Sequence, residues 1–145
     1  DHGKLRAKIR PHTAGSELLA LKVLDEAKET VADVIFDTIS DRRNRCILSI
    51  RDQNTFDPDY RKKRLMTLIH LFLVHRYKAE AVHYLTPTED NRFQTKGMQR
   101  LGIYSDVNNE IGDIIVTVVN TERVTSMLDT DESELRKLIA KEPIG

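Results

Sequence analysis

Only one cysteine, Cys46, occurs in the 145 residues. That excludes an intramolecular disulfide framework and any cysteine-rich zinc site. Glycine and proline are sparse, at six and four, and no internal repeat is present, so collagen-like and low-complexity classes are excluded. Neither sign of charge predominates: 23 basic and 23 acidic side chains give a formal net charge of zero. A neutral chain with four Tyr and four Phe lacks the basic, aromatic-rich footprint of a nucleic-acid binder. The longest apolar run falls far short of the about 18–20 residues that cross a bilayer, and no signal-peptide pattern is visible. The first residue is Asp rather than Met, which reads as a fragment or processed piece. A reduced, cytoplasmic setting is expected.

What remains is enough for one folded domain. A chain of this length buries roughly 68–70% of the surface that its unfolded form exposes. Residues 1–15 are basic, polar and without period, and read as a lead-in or linker to a domain over 16–145. From Ser16, a candidate N-cap, apolar residues recur at three- and four-residue steps: Leu18, Leu21, Leu24, Ala27, Val31, Val34 and Ile35. That spacing predicts helix to about Ser40. Residues 46–50, CILSI, read as a buried strand, and residues 61–77 as a helix announced by Asp57-Pro58. Residues 79–87 read as a second strand and 91–101 as a short helix closed by Gly102. Residues 112–120 are nearly all Ile and Val and predict a strand central in a sheet. Helices are expected over 121–129 and 132–141, the second with Asp131 and Glu134 at capping-box spacing. Helices and strands in this order argue for an α/β or α+β sandwich.

The chemistry-bearing stretch is 46–104. A loop ahead of a helix is a natural phosphate site, because the first amides are unpaired and the dipole end is positive. Here that loop carries Arg61, Lys62, Lys63 and Arg64 in succession. Between Arg42 and Arg64 there are eight basic and three acidic side chains, an excess of five in a neutral chain. Such a concentration suits a polyanion such as a nucleotide diphosphate. A solvated helix start explains the same run, and four cations there oppose the helix dipole.

The segment FDPDYRKKRLMTLI resembles the loop of GCN5-related N-acetyltransferases (GNAT) in which an Arg or Gln is followed by two glycines. Arg61 matches the first position, whereas Arg64 and Met66 stand where the glycines belong. NRFQTKGMQRLGIY resembles the family's Asn-led helix that ends in Gly, with Asn91 and Gly102 in register. Met98 occupies the place of the Tyr that protonates the departing thiolate. The resemblance implies a GNAT-like mixed sheet flanked by helices, degenerate or truncated on its N-terminal side. It also implies an acyl-CoA ligand held by Ile50, Phe56, Arg61, Lys62, Lys63, Arg64, Leu65, Met66, Thr67, Asn91 and Phe93. Without the glycines, side-chain cations take over from a backbone nest. Without the Tyr, the usual general acid is missing, since a thioether has no proton to give.

Residues 83–120 and the terminal helices are similar, in sequence character, to the C-terminal extension of the long, mycobacterial-type isocitrate lyases. That resemblance implies a regulatory domain that binds acetyl-CoA or propionyl-CoA and activates an attached isocitrate lyase or methylisocitrate lyase of the glyoxylate and methylcitrate cycles. The lyase's own Lys-Lys-Cys-Gly-His loop is absent, so lyase chemistry and its magnesium belong to the parent enzyme and no metal is expected here. A homo-oligomer is expected: a dimer of this domain, through the Ile/Val strand edge or the terminal helices, within a tetrameric parent.

Other readings stand beside these. A true acyltransferase would need another acid, for which Tyr84 and Tyr104 are candidates. A nucleic-acid or protein interaction module would use the basic strip 42–64. Asn91 serves equally as a helix cap or a ligand contact. Phe93 and Met98 suit the core. Gly97, costly inside a helix, marks either close backbone approach or tight helix packing. His70 and His75 do not share a helix face, and His83 alternates in a strand, so no zinc site is expected. Cys46 reads as an inert core thiol.

Overall fold

Tight turns, more than helices, organise the first forty residues. The computed structural model describes residues 6–58, 65–110 and 112–130. Strand β1 (Arg6–Pro11) pairs antiparallel with β2 (Leu19–Leu24), and β2 with β3 (Thr30–Ser40). Ser16 does accept an amide, that of Leu18 at 3.0 Å, but within the β1–β2 turn and not as a helix cap. Asp25 closes the next turn by accepting the Glu29 amide at 2.9 Å, with Lys28 in the left-handed region at φ 65°. The helix expected over 16–40 is therefore two strands, and residues 6–11 belong to the sheet instead of a linker. The expected truncation of the sheet's start falls with them. The physical reason lies in β3, where Val31, Ala32, Val34, Ile35 and Phe36 are all buried. Burial on both faces erases the two-residue alternation that identifies a strand, and the residual spacing imitates a helix.

The remaining elements follow the expected order more closely. Strand β4 (Cys46–Thr55) pairs antiparallel with β3. Helix α1 (Leu65–Tyr77) leads to the short β5 (Ala81–Tyr84), and α2 (Glu89–Arg100) follows. Strands β6 (Tyr104–Glu110) and β7 (Asp113–Val118) form a hairpin, and α3 (Thr121–Thr130) closes the described chain. The helix expected over 132–141 lies outside the described residues. The sheet has seven strands in the order β1-β2-β3-β4-β5-β7-β6. Among the described strands, only β4 and β5 run parallel.

Strand β7 sits between β5 and β6, so both of its edges are hydrogen-bonded. It is interior, as its Ile/Val content predicts, and offers no edge to a second copy. The sheet's edges are β1 and β6. Exposed Arg6, Lys8 and Arg10 and terminal Pro11 guard β1 against further pairing. Helix α1 is buried almost all round, from Leu65 through Val74. It shares one core cluster with Val34, Phe36, Ile50 and Val82 of the sheet, Met98 of α2, and Val124 and Leu128 of α3. Met98 is core, as expected, while Phe93 is 69% exposed, which corrects its placement in the core.

Candidate functional site

Two strands that begin side by side and then separate make the site. The pairing of β4 with β5 covers four register positions, from Ile47 opposite Ala81 to Ile50 opposite Tyr84. A last bond runs from the Leu85 amide to the Ile50 carbonyl at 3.1 Å. Beyond it β5 ends, but β4 continues to Thr55 along β3. The register explains the parting: Ile35 opposes Asp52 while Phe36 opposes Ile50, so Arg51 is one extra residue in β4. Such a bulge bends its strand and raises the local twist. The Arg51 guanidinium then reaches Asp37 at 3.1 Å.

The other side of the parting is held by the chain after β5. Thr86 sits at φ 42°, which a β-branched residue adopts only under constraint. Its amide donates to Asp113 Oδ1 at 3.1 Å, and Asp113 Oδ2 lies 2.9 Å from His83 Nε2. The His83 bond, followed by the Thr86 amide, holds the Asp113 carboxyl below the usual carboxylate range. Thr88 then caps α2 in a reciprocal box with Asn91. Asn91 Oδ1 accepts from the Thr88 amide at 2.9 Å and from its hydroxyl at 3.1 Å. Of the two roles open to Asn91, this geometry assigns the cap. Gln94 of α2 donates to Thr67 of α1 at 3.3 Å, tying the early turns of both helices together.

Beneath the parting lies a polar cluster that sequence reasoning missed as a unit. The Tyr84 and Tyr104 hydroxyls are 2.7 Å apart in the core. The fully buried His70 ring stacks on Tyr84 with centroids 5.8 Å apart and planes 17° apart. Its Nδ1 lies 2.9 Å from the Met66 carbonyl, which makes Nδ1 the protonated donor, and its Nε2 is buried without a partner. Burial holds the imidazole down at about 4, so it is neutral near pH 7. Burial likewise pushes both phenols above their ordinary range. Both hydroxyls are buried and bonded to each other. No residue could have been read as this cluster from spacing alone, since it joins α1, β5 and β6.

The candidate contacts divide sharply. Ile50 is the last residue of β4 paired with β5, and Phe56, half exposed, follows the strand's end. Met66 and Thr67 are half-buried in the first turn of α1, near α2 through Gln94. Leu65 is a core residue, and Phe93 is exposed on the first turn of α2. Arg61, Lys62, Lys63 and Arg64 lie outside the described residues. The described part of the basic strip 42–64 is spread along β4. Arg42, Arg43 and Arg45 precede β4, whose ten residues span roughly 30 Å, and Arg51 lies within it. Arg45 is also paired with Asp41 at 2.7 Å. Cys46 is half-buried, with its Sγ 3.4 Å from the Tyr77 carbonyl and its thiol pushed up by burial and then by the Glu80 charge. No group of three metal-ligating side chains occurs among the described residues.

No protein-family model matches the chain. Curated relatives do. Over 139 residues, 96% of this chain, it is 56% identical to "isocitrate lyase 2" of Mycobacterium tuberculosis and of Mycobacterium bovis. The chain is a homologue of one segment of isocitrate lyase 2, and it spans 18% of that enzyme's length. A shorter isocitrate lyase chain of Mycobacterium tuberculosis matches at the same identity, and 35% of its length is spanned.

With 139 of the 145 residues matched, the site just built falls within the shared segment. Among solved structures, a cAMP-binding acyltransferase from Mycobacterium smegmatis matches at TM-score 0.51 and 16% identity, over 85% of this chain and 36% of that one. The structure of AtaTR bound with AcCoA matches at TM-score 0.52 and 9% identity, over 77% and 72%. At such identities the likeness concerns the fold alone, and the fold is GNAT-like.

Proposed function

We propose that this chain is a non-catalytic acyl-CoA-binding domain that regulates an isocitrate lyase. The observation that carries the reading is the parting of β4 from β5 after Ile50, with a bulge at Arg51 and with α2, tied to α1 through Gln94 and Thr67, following the end of β5. An extended thioester arm would lie along β4 beyond Ile50, where strand groups have no β5 neighbour. Its diphosphate would meet the start of α1, with Arg61, Lys62, Lys63 and Arg64 supplying charge-assisted contacts in place of a glycine nest. Acetyl-CoA and propionyl-CoA are the proposed ligands, and no metal takes part in this segment. Chemistry is proposed to stop at binding: buried Met98 takes the position where the GNAT resemblance expects a Tyr, and the Tyr84 and Tyr104 hydroxyls hold each other inside the core.

Binding would act on a lyase domain by favouring one arrangement of the two, since a ligand shifts only an equilibrium whose states it binds unequally. The partner is therefore an isocitrate or methylisocitrate lyase domain, its reaction a magnesium-dependent carbon–carbon cleavage, and its assembly a cytoplasmic homo-oligomer. No described helix is long and apolar enough to cross a membrane. The test is a thermal-shift series with acetyl-CoA, propionyl-CoA, coenzyme A and ATP, run beside a coenzyme A release assay with candidate amines. Stabilisation by the thioesters without turnover is the expected result. Sustained release that is lost on Tyr84→Phe or Tyr104→Phe would instead establish a transferase.

A further inference from the structure

We infer that Asp113 is a positioning residue of this site: its carboxylate holds the exit of β5 turned away from β4, so that the parting stands open before any ligand arrives. The inference rests on the thioester reading above. Asp113 opens β7, directly after Gly112 of the β6–β7 turn. Its Oδ1 accepts the Thr86 amide at 3.1 Å, and its Oδ2 lies 2.9 Å from His83 Nε2, a second hold that fixes the carboxylate's orientation. His83 alternates with Val82 and Tyr84, which share the core cluster with α1, so this latch sits on the sheet face away from α1. Helix α2 lies on the α1 side, tied there by Gln94 and by buried Met98. The chain between β5 and α2 thus passes from the sheet to the helix layer while Asp113 pins it from the opposite face.

Thr86 is the residue that needs the pin. It sits at φ 42°, where a β-branched side chain is disfavoured, and it precedes Pro87, which favours extended backbone in the residue before it. Its side chain is exposed, so packing does not compel the conformation. The bond from its amide to Asp113 supplies the compensation. Leu85 still bonds to Ile50, at 3.1 Å, so the left-handed turn falls on the first residue beyond that last bond to β4. Two residues later Thr88 caps α2. Without the carboxylate, Thr86 is expected to relax toward extended backbone, which would prolong β5 along β4 and close the parting. A ligand would then meet the open form only as a fraction of the molecules, and its apparent affinity falls by that fraction.

Four measurements separate this role from a purely structural one. Asp113→Ala removes both bonds, and calorimetry is expected to show acetyl-CoA bound roughly 10-fold more weakly, the worth of one charge-assisted hydrogen bond. Adenosine 3′,5′-bisphosphate, which lacks the thioester arm, is expected to bind Asp113→Ala and wild type alike. Asp113→Asn keeps an oxygen for the Thr86 amide and is expected to bind acetyl-CoA nearly as wild type does. In a Thr86→Gly chain the left-handed backbone needs no support, so adding Asp113→Ala there is expected to weaken binding by about 2-fold or less. Amide exchange reads the latch without any ligand: the Thr86 amide is expected to be protected in wild type and to lose that protection in Asp113→Ala. Unchanged acetyl-CoA affinity in Asp113→Ala would overturn the inference. So would an equal loss for the two compounds, an undiminished loss beside Thr86→Gly, or an unprotected Thr86 amide in wild type. A wild-type chain that binds neither compound would refute the thioester reading itself, a result distinct from each of those.

Discussion

The sheet has a regular half and an irregular one. From β1 to β3 every strand pairs antiparallel with the next in sequence, through short turns such as the one closed by Asp25. From β4 to β7 the chain skips: β4 is joined to β5 through α1 as a parallel pair, and β7 inserts between β5 and β6. Each half has a register shift, at Val23/Leu24 and at Arg51, but the constrained Thr86 and, among the described residues, both buried side-chain atoms without partners, Gln53 Oε1 and His70 Nε2, lie in the irregular one. Strain and unpaired polar groups of this kind persist where something other than stability keeps them. The contrast separates a half paired in sequence order from the half in which the proposed ligand site lies.

That division is open to direct attack. Leu21 in β2 is fully buried in the regular half. Leu21→Ala should cost roughly 2–5 kcal/mol of unfolding free energy, the usual price of a core cavity, while acetyl-CoA affinity per folded molecule stays as it was. Urea titration and calorimetry on one sample check both.

Acid should act through the irregular half. His70 is held near 4 in the folded protein against about 6.5 when unfolded. Its folded value is lowered, so above pH 6.5 both states are neutral and nothing is lost. As pH falls from about 6.5 to 4 the unfolded chain takes up a proton that the native one refuses, and stability drops by on the order of 3 kcal/mol. His70→Phe should flatten that part of the stability profile between pH 4 and 6.5.

Arg61→Ala with Arg64→Ala is expected to weaken acetyl-CoA binding by about 2 kcal/mol, within the range of charge-assisted contacts, with little change in melting temperature. Unchanged affinity by calorimetry would reject those cations as the phosphate site. The smallest effect concerns Gly97. A Cβ added there meets no heavy atom within 4 Å, so neither close backbone approach nor helix packing accounts for the glycine. Gly97→Ala should stabilise the protein by about 0.5–1 kcal/mol in urea titration, the helix propensity difference alone.

The same contrast governs what the sequence discloses. Strands β4, β5 and β7 and helices α1, α2 and α3 are legible because CILSI, the Ile/Val run and the apolar faces are locally unambiguous. The regular half is misread for a physical reason. Strand β3 buries both faces, and its spacing then mimics a helix. Strand β6 is missed because Ser105, Asn108, Asn109 and Glu110 have little strand propensity, and pairing with β7 alone supplies the order. At the site, the flanks of the parting are legible as a loop before a helix and an Asn-led helix. The Arg51 bulge, the Gln53 oxygen and the joining of His70, Tyr84 and Tyr104 are not, since each depends on register between strands far apart in sequence.

Calorimetric titration of this chain with acetyl-CoA addresses the main claim most directly. Saturable, one-to-one binding, weakened when the thioester arm is removed, is the predicted outcome. A flat trace with acetyl-CoA, propionyl-CoA and coenzyme A alike would contradict the account.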